Sequence, residues 1–129
     1  MGNATATSTD PAASVRARHA PPLDLVHLAC QTLGNKELET EVLRMFLRQS
    51  RIQLQQIAAA HSPRELSAAA HQLIGSARAI GAWAVAASAE AIEQSAAADA
   101  TDARELAPRL AALECAIAEA NGFIGRLVD

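Results

Sequence analysis

Apolar residues recur along this chain at helical spacing from Leu23 onward, and the stretches between are short. A first short helix is expected over about Leu23–Leu33, opened by Pro21-Pro22 and stopped by Gly34. Asn35 is a good N-cap for a second helix reaching about Ala60, which carries Leu38, Val42, Met45, Phe46, Ile52 and Ile57. The sharpest boundary is Ser62-Pro63-Arg64-Glu65: a capping serine, a proline in the first helical position and a glutamate that completes a capping box. A third helix then runs to about Ile80, and Gly81 interrupts the pattern before a fourth over about Ala82–Ala97. The last helix lies between Asp102 and Val128, with Leu106, Leu110, Leu113, Ile117 and Ile124 as its core side. Pro108 is awkward there, because an interior proline costs ~3 kcal/mol; a start near Ala107 or a kink would avoid that cost. Four long amphipathic helices with short connections, plus a short helix as a lid, predict an all-α antiparallel up-down four-helix bundle.

Composition narrows this picture without changing it. The 129 residues are 50% hydrophobic but only 2% aromatic, and alanine-rich cores with few β-branched runs suit helices. A net charge of −3 argues against a nucleic-acid partner, which would normally meet a basic patch. Cys30 and Cys115 lack CxxC spacing and read as free, partly buried thiols of a reducing cytoplasm. No run approaches the roughly 18 apolar residues of a membrane span. Residues 1–22 are rich in Thr, Ser, Ala and Pro and read as a disordered arm preceding a domain over 23–129.

The third helix holds the residues that do not belong in a core. At ~100° per residue, Leu66, Ala69, Ala70, Leu73, Ala77 and Ile80 share the buried stripe, whereas His71 lies ~140° from its centre. Gly75 and Arg78, at i+4 and i+7, and Arg64, two turns earlier, share that outer face with His71. Gly75 is costly in mid-helix, ~1 kcal/mol against Ala, in a chain that otherwise uses alanine freely. It serves either close packing or the approach of a partner to the imidazole. An exposed imidazole can act as a nucleophile, and arginines can balance a phosphoryl charge of about −2; on these grounds alone a solvated surface histidine beside solvated arginines is the better reading.

The run Ala70-His71-Gln72-Leu73-Ile74-Gly75-Ser76-Ala77-Arg78-Ala79-Ile80-Gly81-Ala82 resembles the signature of histidine-containing phosphotransfer (HPt) domains, A-H-x-L-K-G-S-A-x-x-x-G-A. Val85, Ile92 and Glu93 stand at its later spaced positions, and Leu43–Leu47 is similar to the family's preceding helix. The resemblance runs from about Leu23 to the C-terminus. It implies a bundle in which His71 is the phosphoacceptor, Gly75 gives a receiver domain access, and Glu93 orients the ring. Gln72, Arg64 and Arg78 complete the expected surround, and Ser67, Ala68 and Ile74 the docking surface. Ile74 departs from the family, which has a lysine there; by this reading Arg78 replaces the missing cation.

The function implied is that of a carrier rather than an enzyme, taking a phosphoryl group from a hybrid kinase's receiver domain and passing it to a response regulator. It would be a cytoplasmic monomer with no cofactor of its own, Mg²⁺ residing in the receiver. No P-loop or other nucleotide motif is present. Three other readings compete. A degenerate docking module would bind receivers without carrying phosphate, as Ile74 suggests. A kinase dimerisation helix would follow its histidine with Glu and then Pro, unlike Gln72-Leu73-Ile74-Gly75. A metal or haem bundle would need E-x-x-H pairs, which are missing here, and His19, His27 and His61 stand singly. Trp83 reads as a packing residue at the bundle edge rather than a binding anchor.

Overall fold

A computed structural model describes residues 21–98 and 103–128. Apart from Pro21 and Pro22, the expected N-terminal arm lies outside the described residues. Five helices follow one another: α1 (Leu25–Gln31), α2 (Lys36–Ala58), α3 (Pro63–Ile80), α4 (Trp83–Ala97) and α5 (Ala103–Val128). Neighbouring packing runs α2 on α3, α3 on α4, α4 on α5 and α5 back on α2, which closes an up-down four-helix bundle. Helix α1 lies against α3.

Local chemistry fixes the ends of α3. The Glu65 amide donates to Ser62 Oγ at 3.1 Å, while the Glu65 carboxylate accepts from the His61 amide at 2.9 Å. The reciprocal bond of the capping box therefore lands one residue ahead of the cap. At the other end Gly81 adopts φ 78°, and a Cβ there would sit 2.8 Å from the Asp24 Cβ and 2.9 Å from its carbonyl oxygen. Only glycine allows both this left-handed turn and that approach. The close fit lets the Asp24 amide donate to the Gly81 carbonyl at 2.9 Å.

That contact belongs to a latch holding α1 on the α3–α4 turn. Asp24, rather than the two prolines, caps α1, accepting from the His27 amide at 3.0 Å, and Trp83 Nε1 donates to its second oxygen at 3.0 Å. His27 Nε2–H donates to the Arg78 carbonyl at 2.8 Å, and the His27 and Trp83 rings meet edge-on at 4.8 Å. The half-exposed Trp83 is thus a packing residue at the bundle edge. These bonds hold the Asp24 carboxyl below its ordinary pKa, first through the His27 amide and then through the Trp83 indole.

The core is aliphatic, with Leu28, Leu73, Ile80, Val85, Ile92, Leu113 and Ile124 sealed within it. In α2 the buried seam is Leu43, Phe46, Ser50 and Ile57, whereas Leu38, Met45 and Ile52 face outward. A strip contacting two neighbours follows a near-heptad spacing, and those three fall outside it. The buried Ser50 hydroxyl is met by Asn121 Nδ2 from α5 at 3.1 Å. Helix α5 passes through Pro108, its sixth residue, without starting afresh. Helix α1 ends earlier than expected, because the Thr32 hydroxyl bonds back to the Leu28 carbonyl at 2.9 Å, and Leu33 (φ 54°) and Gly34 (φ 75°) make the turn. Cys30 and Cys115 are free thiols, but exposed rather than partly buried.

Candidate functional site

Both α3 and α4 bury small residues, Ala70 and Ala77 of α3 and Ala86 and Ala89 of α4, and small buried side chains let packed helix backbones approach closely. Side chains on the rim of two such helices can then bond across the boundary. His71 and Glu93 do so: His71 Nδ1–H donates to Glu93 Oε2 at 2.9 Å. A carboxylate only accepts, so this bond requires a proton on Nδ1, and in the neutral ring the Nε2 lone pair is then free. The His71 side chain is 76% exposed, and among the described residues nothing bonds to Nε2. A nitrogen oriented and exposed in this way can act as a nucleophile.

The ring opens onto a surface recess of about 590 Å³. Arg64, Ser67, Ala68 and Gln72 of α3 line it together with His71 and Glu93, and all six were singled out from the sequence. Pro63, Ala96 and Ala97 complete the wall and were not. Their signal was spacing: Ala96 and Ala97 lie one turn beyond Glu93 on α4.

Gly75 lies on the same outer face, beyond that recess. A Cβ added there would meet nothing within 4 Å, so close packing within the bundle does not explain the glycine. Two expectations need correcting. Ile74, read as part of the docking surface, is only 3% exposed and belongs to the core. Its ~90° offset from the centre of the buried stripe would leave it at a free edge, but α2 and α4 clasp α3 from both sides and widen the buried arc. Arg78, read as the replacement cation, is instead ion-paired with Glu90 of α4. Glu90 had gone unremarked, although it sits one turn before Glu93 on the edge facing α3.

Among the described residues, no group of three or more His, Cys, Asp or Glu could hold a metal ion, and no helix is long and apolar enough to cross a membrane.

The closed bundle thus presents an exposed histidine on an open helix face, bonded to a carboxylate of the neighbouring helix. Residues 41–122 match the family model of the Hpt domain, and the chain belongs to that family. No curated protein and no solved structure gives a significant match. Hpt domains are phosphocarrier modules of two-component signalling rather than kinases, and their partners in phosphorelays are receiver domains.

Proposed function

We propose that His71 accepts a phosphoryl group from the aspartyl phosphate of one receiver domain and delivers it to the aspartate of a response regulator. The observation that carries this reading is the 2.9 Å bond from His71 Nδ1 to Glu93, which in the neutral ring makes Nε2 the nitrogen with the free lone pair. In the forward step the Nε2 lone pair attacks phosphorus, an N–P bond forms and the O–P bond to the receiver's carboxylate breaks. The ring gains positive charge as it does so, and the adjacent Glu93 carboxylate balances it. In the reverse sense a regulator's aspartate attacks the same phosphorus and the ring leaves as the Nδ1–H tautomer. No protein group need move during either step, so positioning and charge are the whole contribution of this chain. Mg²⁺ belongs to the receiver in this scheme, and the carrier acts as a cytoplasmic monomer with no cofactor of its own.

The test is incubation with phosphorylated receiver domain, followed by mapping of acid-labile phosphate. The wild type acquires label on His71 and returns it to an unlabelled regulator, while His71→Gln does neither. Equal, poor labelling of both proteins would leave only the degenerate docking module.

A further inference from the structure

A phosphoryl group on His71 brings about two negative charges into a recess that already contains the Glu93 carboxylate. A nearby cation would offset that repulsion, and the two helices forming the site offer two: α3 carries Arg64 and Arg78, and α4 carries none. Each lies seven residues from His71, on the same face and ~10.5 Å along the axis. They differ in what already holds them.

Arg78 is ion-paired with Glu90, and its backbone carbonyl is fixed by His27. Bringing its guanidinium to a phosphoryl group would exchange one ion pair for another and strand the Glu90 carboxylate beside new negative charge. Arg64 has no ion-pair partner among the described residues and lines the recess with His71. Ser67 and Ala68, between Arg64 and His71 on α3, line that same recess, and Arg78 does not. The first turn that carries Arg64 is pinned by Ser62 and Glu65.

Building on the carrier reading of His71, we infer that Arg64, and not Arg78, is the cation that holds the phosphoryl group on His71. Arg78 instead clamps α3 to α4 through Glu90. The long arginine and the phosphorylated ring together close the two-turn gap, so the phosphoryl group lies over Ser67 and Ala68 with the guanidinium beyond it.

The experiment compares Arg64→Ala, Arg64→Lys and Arg78→Ala with wild type in the full chain. Each protein is phosphorylated by a phosphorylated receiver domain and, separately, by phosphoramidate, a donor too small to dock; the ³¹P resonance of the phosphohistidine is then followed against pH. Arg64→Ala should slow labelling about fivefold with both donors, a loss of ~1 kcal/mol typical of an exposed charge pair. It should also raise the pH at which the phosphoryl group takes its last proton, because the nearby cation favours the dianion. Arg64→Lys should recover most of both effects, and Arg78→Ala should stay within twofold of wild type. The assignment is overturned if Arg64→Ala behaves as wild type, if the loss follows Arg78→Ala, or if the effect occurs only with the receiver donor, which would make Arg64 a docking contact. A wild type that neither donor labels would overturn this inference and the carrier reading together.

Discussion

Gly75→Ala separates what the bundle needs from what its partner needs. The backbone there is ordinary α-helix, the position is exposed, and an added methyl would meet nothing within 4 Å. Replacing glycine by alanine in such a place removes chain entropy from the unfolded state and should stabilise the fold by about 1 kcal/mol. For a domain of this size that raises Tm by roughly 4 °C, and the urea midpoint should rise with an unchanged slope. Phosphotransfer should move the other way. If a receiver settles its backbone against the bare turn below His71, a methyl there displaces the reacting centres, and a shift of about 1 Å can cost a hundredfold in rate.

The assay measures transfer from a phosphorylated receiver alongside labelling by phosphoramidate. Gly75→Ala should fall ten- to a hundredfold with the receiver, Gly75→Gln further still, and neither should change with the small donor. Two results would refute the reasoning at different points. A destabilised alanine variant would mean that the space over Gly75 is not open. A stabilised one that transfers as fast as wild type, with the glutamine variant equally fast, would mean that the glycine does not serve access.

Three further outcomes follow from particular contacts. Glu93→Ala removes the acceptor that fixes the His71 tautomer and should slow transfer about fivefold, whereas Glu93→Gln keeps a carbonyl acceptor and should retain most of the rate; ring ¹⁵N shifts of His71 should show mixed tautomers only in the alanine variant. Ile74→Lys returns the residue usual in the family, but into the core of this chain, and urea unfolding should show a loss of about 2 kcal/mol, since even a snorkelling lysine gives up its packing. The Asp24 carboxyl has a folded-state pKa lowered below 3.8, so its contribution is fully present above about pH 4 and is lost as pH falls through the folded value. Fluorescence of Trp83, the only tryptophan, should report α1 loosening in that acid window, and Asp24→Asn should abolish the transition.

How much the sequence discloses depends on how local each feature's cause is. The limits of α3 follow from Ser62, Pro63, Glu65 and Gly81 within a few residues of each end, so they could be read directly. The outward face of His71 follows equally from a clear stripe of six apolar residues. Ile74 and Arg78 were misplaced for the same reason: both lie where α3 meets a neighbour, and periodicity describes one helix at a time. The burial of Ile74 depends on helices flanking both edges of α3, and the fate of Arg78 depends on the register that brings Glu90 opposite it. The α1 latch is less legible still, because its bonds link Asp24 and His27 to residues more than fifty positions away.

That division also explains why so little chemistry is needed at the site. One inter-helix hydrogen bond orients the ring of His71, and the alanines buried on the same two helices belong to the core. The same helix thus holds the bundle together with one face and presents His71 with the other, so substitutions on the two faces should act on different observables. Core changes such as Ile74→Lys should appear in unfolding, and open-face changes such as Gly75→Gln in transfer to a docking partner. Arg78 tests the boundary between them, since its side chain is on the open face but tied to Glu90. If it is a clamp, Arg78→Ala and Glu90→Ala should lower stability by similar small amounts, no more than about 1 kcal/mol for an exposed pair. The double variant should then lose no more than either single one, because removing the second partner of a broken pair removes nothing further.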